Sequence, residues 1–269
     1  MRAIVLAAGQ GSRLRPLTDH RPKCLVKLAG MSLLDRQLRV LRQAGVEDII
    51  IVTGYQAGEI HAPGCRLVHN PDYARTNMVA TLFCAAEMIT GDDDLLIAYT
   101  DIVYEPTVLR AVMDCRKPIC LPIDMDWRRY WEIRMADPLA DAETLLLDAH
   151  GRVLELGRKP REYDAIQGQY IGMLKVARDR VGDLRDAYAL MDRNGNYDGK
   201  NFANMFMTSF IQHLIDHGWH VQSVPIHNGW LEVDTLRDHQ TYEQMHRDGS
   251  LSSFCDLDSC GTGTPTRRL

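Results

Sequence analysis

Two cations ten residues apart, Arg13 and Lys23, follow a pair of glycines, Gly9 and Gly11, in the stretch LAAGQGSRLRPLTDHRPKCL (6–25). Glycines let the backbone approach an anion closely, and successive N–H groups in such a turn make a concave nest for phosphate oxygens. An arginine fork suits a diphosphate or triphosphate bidentately, while a lysine on a turn after Pro22 supplies a point charge where a single phosphate reacts. Residues 10–27 hold Arg13, Arg15, Arg21, Lys23 and Lys27 against Asp19 alone, in a chain of formal net charge −5. A solvated basic loop would have this composition too; the flanking glycines tilt the reading toward an anion site. The dinucleotide fingerprint is not met, because the place of its third glycine falls near Arg13 and Leu14. No Gly-Lys-Ser/Thr of a Walker A loop follows either.

The elements that must position these residues alternate between strand and helix. Residues 2–8 are a continuous apolar run ending in glycine, the pattern of a strand buried on both faces. SLLDRQLRVLRQAG (32–45) predicts a helix with Leu33, Leu34, Leu38 and Leu41 on one face and Gly45 as its stop. Further strands are predicted over 47–55, 65–70 and 93–101, and a helix over 78–89. This rhythm is that of a Rossmann-like, doubly wound α/β sheet, mainly parallel, whose ligands lie at the carboxyl ends of its strands. The second half predicts mixed strands over 118–124, 143–157 (a hairpin across a glycine turn) and 169–176, a small subregion that covers the site. A long amphipathic helix over 201–218, strands over 220–227 and 230–234, and a helix over 235–249 complete a single domain, 1–249. SLSSFCDLDSCGTGTPTRRL (250–269) is small, polar and punctuated by Gly and Pro, and is expected to be a disordered tail.

With 269 residues, 45% hydrophobic and 25% charged, the chain has the composition of an ordinary globular protein. Its acidic balance argues against a general nucleic-acid binder. No apolar run approaches the roughly 18 residues of a membrane helix, and MRAIVLAAG lacks a secretory pattern, so a cytoplasmic location is expected. The seven cysteines contain no Cys-x-x-Cys pair and are expected to be reduced thiols. His213, His217 and His220 have part of a zinc spacing without its glutamate or a clear third ligand, and read better as a solvated helix end.

The run LAAGxGxRLxPLTxxxPKxL, followed by a glycine and a helix, resembles the signature of the sugar-phosphate and phosphocholine nucleotidyltransferases. NPDYARTNMVATLFCA (70–85) resembles a segment of the cytidylyltransferases that act on small phosphorylated alcohols. YTDIVY (99–104), ADPLADAET (136–144), QYIGMLKV (169–176) and KNFANMFMTSF (200–210) are similar to stretches of the phosphoglutamine and phosphonate cytidylyltransferases. The resemblance implies a fold of the nucleotide-diphospho-sugar transferase type. It also implies transfer of CMP from CTP to an acceptor phosphate or phosphonate, with release of pyrophosphate and Mg2+ as cofactor. The partners are then CTP and a small anionic phospho or phosphonate acceptor, with neither nucleic acid nor membrane. A phosphorylated hydroxy compound or a phosphonate such as 2-hydroxyethylphosphonate comes first among acceptors, then phosphocholine, then a sugar 1-phosphate. A non-catalytic nucleotide-binding relative is the other class. Its mark would be the loss of Arg13, Lys23 or Asp101, and all three are present.

The same resemblance implies roles for individual residues. Leu6, Ala7, Ala8, Gly9 and Gly11 wrap the nucleotide, with Thr76, Asn77 and Thr81 contributing, and Arg13 and Lys23 are catalytic, Lys23 at the α-phosphate. Asp101 at a strand end and Asp234 in GWLEVDT hold the metal. Glu232, two residues earlier and on the same side of a strand, assists. Without the resemblance Asp101 reads as a turn former and Asp234 as the cap of the helix that follows. Lys159 in ELGRKP, Tyr104 and Tyr170 are expected at the acceptor, with Arg129 or Arg134 as a second cation. DWRRYWEIR (126–134) leaves open whether Trp127, Tyr130 and Trp131 face a quaternary ammonium or fill the core. Attack by an acceptor already anionic needs no protein nucleophile or strong base, so positioning and charge neutralisation must do the catalysis. Removing Lys23 is therefore expected to cut turnover far more than stability.

Overall fold

A computed structural model describes residues 1–259. The first strand, Arg2–Ala7, pairs in parallel with Asp48–Thr53 on one side and Leu95–Tyr99 on the other. Arg66–His69 extends the parallel set to one edge. Met173–Val176 runs antiparallel between Leu95–Tyr99 and Ile119–Asp124. Ile119–Asp124 also pairs antiparallel with Gln169–Tyr170 and in parallel with Val221–Ile226. The result is the expected mixed, mainly parallel sheet, with helices on both faces.

Burial on both faces explains the unbroken apolar run of the first strand. Ala3, Val5 and Ala7 pack against Leu34, Leu38 and Leu41 of the helix Leu33–Gln43. Ile4 and Leu6 face the opposite core, with Val79 and Leu82 of the helix Met78–Phe83 and Phe210 and Leu214 of the helix Met207–Asp216. Ser32 caps the first helix by accepting from the backbone N–H of Asp35. Thr235 and Asp238 form a capping box at the start of Leu236–Arg247.

Beyond the end of Leu95–Tyr99 the chain turns at Thr100 and Asp101 and enters a short ribbon, Ile102–Tyr104 paired antiparallel with Trp230–Glu232. Glu232 stands opposite Ile102, and the N–H of Val233 donates to the carbonyl of Asp101 at 2.7 Å. This register brings the two expected metal aspartates to one place.

Several elements depart from expectation. The segment 201–218 is not one helix: Asn201 caps a single turn, Phe202–Asn204, the backbone extends at Met205 and Phe206, and the helix starts at Met207. The break lets the carbonyl of Ala203 accept from the N–H of Asn77 at 3.0 Å, tying this segment to the start of the helix Met78–Phe83. The strand expected over 169–176 is interrupted at Gly172, whose φ is +82°. Helices Pro106–Asp114, Trp127–Arg134 and Arg178–Leu190 are additions to the expected elements. Cys115 and Cys120 are not free thiols but a disulfide, their Cα atoms 6.4 Å apart where a helix turns back into a strand.

The tail also needs correction. Residues 250–259 are packed, with Leu251, Phe254, Cys255 and Leu257 all buried. The carbonyl of Phe254 accepts from the N–H of Gly229, and that of Leu257 from the buried guanidinium of Arg36. Four apolar side chains among polar ones suffice to dock a segment that mean composition marks as loop. Residues 260–269, including Cys260, lie outside the described residues.

Candidate active site

A cleft of about 250 Å³ opens at the carboxyl ends of Arg2–Ala7 and Leu95–Tyr99. Leu6, Ala8, Gly9, Gly11 and Arg13 line one side, and Thr76, Asn77 and Thr81 another. Alternation along the strand sends the Ala7 side chain to the opposite core, so unlike its neighbours Leu6 and Ala8 it does not line this cleft. Gly11 is left-handed, with φ +64°, and a Cβ there would sit 2.9 Å from the Lys23 Cβ. Only glycine allows the loop to lie against the lysine. Thr18 donates to the Gly11 carbonyl at 2.8 Å and fixes the turn. Across the cleft, Asn70 Nδ2 donates to Thr76 and Thr81 at 3.0 Å each, and Asn77 caps the helix Met78–Phe83.

Lys23 is the centre of the charged site. Its Nζ donates to Asp101 Oδ2 at 2.8 Å and to Asp234 Oδ1 at 2.7 Å. Arg13 takes the other oxygen of Asp234 at 2.6 Å. Burial alone would favour a neutral lysine, but Asp101, Asp234 and Glu232 outweigh it and hold the ammonium above its ordinary pKa. Burial works against the Asp234 carboxylate too, and Lys23 and Arg13 more than compensate, so its pKa is lowered. Asp101 Oδ1 is buried with no hydrogen-bond partner among the described residues.

Glu232 is placed differently from the two aspartates. It pairs with the buried Arg134 at 2.7 Å, and Arg134 reaches Asp238 at 3.4 Å behind it. Burial lifts the Glu232 carboxyl to about 7, Arg134 and Lys23 opposing the rise and Asp101 and Asp234 adding to it. Its backbone N–H donates to the hydroxyl of Tyr130 at 2.7 Å, and that hydroxyl is shared with Tyr242, also at 2.7 Å. Of the two arginines left open by the sequence, Arg134 supports the site from below. Arg129 lies elsewhere, bonded to Asn228 and the Ser253 carbonyl and stacked on Phe254.

A second cavity, about 190 Å³, adjoins the first and shares Arg13, Met78, Tyr99 and Asp234 with it. Tyr170 and Glu232 line it, as do Trp131, Glu143, Gln169 and Phe206. Two residues expected at the acceptor are not there. Tyr104 is in the core opposite Trp230, because the ribbon turns it inward. Lys159 donates to the carbonyls of Leu139 and Ala140 and lines neither cavity. Its ammonium braces the loop that carries Asp141 and Glu143. Trp127, Tyr130 and Trp131 are buried, Trp131 alone of the three lining the second cavity. Glu143 escaped the sequence reading because nothing in ADPLADAET spaces it from a partner, although that stretch carried part of the resemblance.

Residues 3–154 match the family model described as a MobA-like NTP transferase domain. The CTP:phosphoglutamine cytidylyltransferase of Campylobacter jejuni is 38% identical over 247 residues, covering 88% of this chain and 97% of that protein. Among solved structures, the CTP:phosphocholine cytidylyltransferase from Streptococcus pneumoniae superposes with a TM-score of 0.68 at 20% identity, over 91% of this chain and 98% of that one. The inositol-1-phosphate CTP transferase from T. maritima gives 0.67 at 18%, over 95% and 97%. At these identities the two structures bear on fold alone.

Proposed function

This chain belongs to the MobA-like NTP transferase family and is a nucleotidyltransferase; from that premise we propose that it joins CMP to a small phosphonate or phosphate ester at the expense of CTP. The acceptor's anionic oxygen attacks the α-phosphorus, a P–O bond forms, the bond to the β-phosphate oxygen breaks, and pyrophosphate leaves with the electron pair. No proton has to be removed from the attacking group, consistent with a site made of cations, carboxylates and backbone N–H groups.

The observation that carries the reading is Lys23, held between Asp101 and Asp234 in the cleft that the glycine loop lines. In this reading the Gly9–Gly11 turn and Arg13 take the β- and γ-phosphates, and Lys23 neutralises the α-phosphate as charge builds on it. Leu6, Thr76, Asn77 and Thr81 hold the nucleoside end. Arg13, lining both cavities, is placed to bridge donor and acceptor phosphates.

A divalent cation suits the donor set. Asp101 offers a buried oxygen without a partner, and Asp234 is kept ionised by its surroundings. Both are hard oxygen ligands of the kind Mg2+ takes alongside substrate phosphates. When bound, Mg2+ would neutralise phosphate charge. Glu232, committed to Arg134, orients the strand end rather than serving as a ligand.

Pyrophosphate release tests the proposal, measured with each of four nucleoside triphosphates against phosphonates, phospho-alcohols, phosphoglutamine and sugar 1-phosphates. Release with CTP and a small non-sugar acceptor is expected. Turnover confined to sugar 1-phosphates, or nucleotide binding with no turnover across the panel, overturns it.

A further inference from the structure

We propose, resting on the transfer reading above, that Gln37 is a positioning residue: it clamps the turn that carries Asp101 and so sets how tightly the site holds a divalent cation. Gln37 lies within the helix Leu33–Gln43 and is 1% exposed, a glutamine among the buried Leu33, Leu34, Leu38 and Leu41. Its Nε2 donates one hydrogen to the carbonyl of Tyr99 at 2.6 Å and the other to the carbonyl of Ile102 at 2.5 Å. Those carbonyls stand on either side of Thr100 and Asp101, so a single amide spans the turn.

The turn needs such a partner. Leu95–Tyr99 ends its parallel pairing at Tyr99, opposite Leu6, and Ile102–Tyr104 begins the antiparallel ribbon, so between them the backbone leaves the ladder of the main sheet. Carbonyls buried there have to be paired from elsewhere. That of Asp101 takes the N–H of Val233 at 2.7 Å, and the Thr100 hydroxyl ties the turn to the carbonyl of Leu6 at 2.8 Å. Gln37 takes the carbonyls at the two ends. Its own Oε1 is buried with no hydrogen-bond partner among the described residues. An unpaired polar atom costs free energy, and a leucine or methionine at this helix position would fill the space with none to bury. What the amide brings is its two donors.

Asp101 is where that precision counts. Its Oδ2 rests on Lys23 at 2.8 Å, and its buried, unpartnered Oδ1 is the oxygen open to a cation. A turn free to shift would let the carboxylate close both oxygens on the Lys23 ammonium and withdraw the ligand atom. Holding the backbone on both sides of Asp101 prevents this without contact to the carboxylate itself. Loss of a side chain that orients a metal ligand typically weakens metal binding by about tenfold to a hundredfold.

Gln37→Met tests the proposal, since it keeps the length and much of the volume of the side chain and removes both donors. Mn2+ is titrated into the full chain with a saturating non-hydrolysable CTP analogue and read by electron paramagnetic resonance, against the same titration without protein. The variant should bind Mn2+ about tenfold or more weakly than the wild type. Well below its melting temperature, the Mg2+ needed for half-maximal pyrophosphate release should rise by a similar factor, with kcat at saturating Mg2+ within about threefold of the wild type. In metal-free protein the amides of residues 100–103 should exchange hydrogen about tenfold or more faster, while those of Asp48–Thr53 do not change. Because Gln37 acts through Asp101, adding Gln37→Met to Asp101→Asn should weaken Mn2+ by less than about a further twofold. A glutamine that only packs would lower the melting temperature and move none of these readouts.

Should the methionine variant fail to fold, Gln37→Glu decides: its carboxyl keeps the shape and has at most one hydrogen for the two carbonyls, so Mn2+ affinity should fall by about threefold or more. A folded variant that matches the wild type in Mn2+ affinity and in exchange at the turn overturns the proposal, as does a loss that simply multiplies that of Asp101→Asn, or a wild type that binds no Mn2+. Pyrophosphate release keeps the two readings apart. If no acceptor supports release and Gln37→Met still weakens Mn2+ binding, the positioning role stands and the transfer reaction falls; if CTP is turned over and the variant binds Mn2+ as the wild type does, the reaction stands and the positioning role falls.

Discussion

Lys23 and Asp234, 211 residues apart in sequence, meet at 2.7 Å, and the same ammonium holds Asp101 at 2.8 Å. This changes what loss of the lysine should do. The sequence suggested a catalytic defect with little effect on folding, yet all three side chains are largely buried. Without Lys23 two carboxylates would face each other with Arg13 as the remaining cation, and breaking a buried pair on one side costs about 3 kcal/mol or more. Lys23→Met should therefore lose about a hundredfold or more in kcat/KM and also unfold earlier in metal-free buffer. Millimolar Mg2+ should recover part of that stability but not the turnover. Undiminished turnover would remove Lys23 from the reacting centre.

Asp101 keeps one oxygen on Lys23 and leaves the other, Oδ1, buried without a partner. A polar atom left so is costly, by about 1–3 kcal/mol, unless a ligand completes it. Mg2+ with CTP should raise the melting temperature of the wild-type protein, and chelation should abolish pyrophosphate release. Asp101→Asn should lose both the Mg2+-dependent part of the stabilisation and about a hundredfold in turnover. Thermal melts with and without the metal measure the first effect, and an asparagine variant that responds to Mg2+ as the wild type does would count against a ligand role.

Arg134 is inside the protein, ion-paired to Glu232 and Asp238 and packed against the rings of Tyr130 and Trp131. Arg134→Met keeps much of the volume but strands two carboxylates, and a loss on the order of 3–5 kcal/mol is expected. Arg134→Met combined with Glu232→Gln and Asp238→Asn should recover much of it, since the triad is then neutral. Denaturant unfolding of the single and triple variants measures the difference.

The glycine-loop half of the site was legible in the sequence because its residues are close in the chain. Gly9, Gly11, Arg13 and Lys23 fall within one loop, and the apolar strand before it and helix after it are both periodic. Asp101 and Asp234 were legible as strand ends, and the ribbon of Ile102–Tyr104 with Trp230–Glu232 supplies the pairing that joins them. The second cavity was read less well. Tyr104 was misplaced because the face a residue takes in a three-residue strand depends on its partner, here Trp230. Lys159 follows a hairpin whose direction local sequence does not set. Arg134 and Arg129 share one helix and go to different neighbours, which only tertiary packing decides. Glu143 carries no local signal, since its significance is the absence of a cation near it.

The segment after Gly249 should matter to folding. Leu251, Phe254, Cys255 and Leu257 are buried, Arg129 stacks on Phe254, and Arg36 donates to Leu257 from within the core. Ending the chain at Gly249 exposes the surface beneath these side chains and leaves the Arg36 guanidinium short of an acceptor. The shortened protein should therefore be less stable than the wild type, each 1 kcal/mol lost lowering the melting temperature of a chain of this length by about 2–4 °C. A shortened protein that melts with the wild type would return the whole segment to the disordered tail that its composition suggested.

Glu143 gives a pH dependence whose sign is fixed by its surroundings. Burial, then Asp141, Glu232 and Asp198, raise its carboxyl from the ordinary 4.5 to about 7 in the folded protein. The folded state thus binds its proton more tightly than the unfolded state, and stability falls as pH climbs from about 4.5 to 7. Glutamine in its place cannot ionise. Glu143→Gln should match the wild type in stability near pH 4.5 and exceed it above pH 7 by about 2 kcal/mol, scaled down from 1.36 kcal/mol per pKa unit for the water that reaches the cavity. Glu232 also titrates near 7 and feels the Glu143 charge, so the difference between the two proteins reports Glu143 together with the easier ionisation its removal allows Glu232. Denaturant unfolding at pH 5 and pH 8 measures the difference. A variant less stable than the wild type at pH 8 would mean that a cation of the protein itself already compensates Glu143.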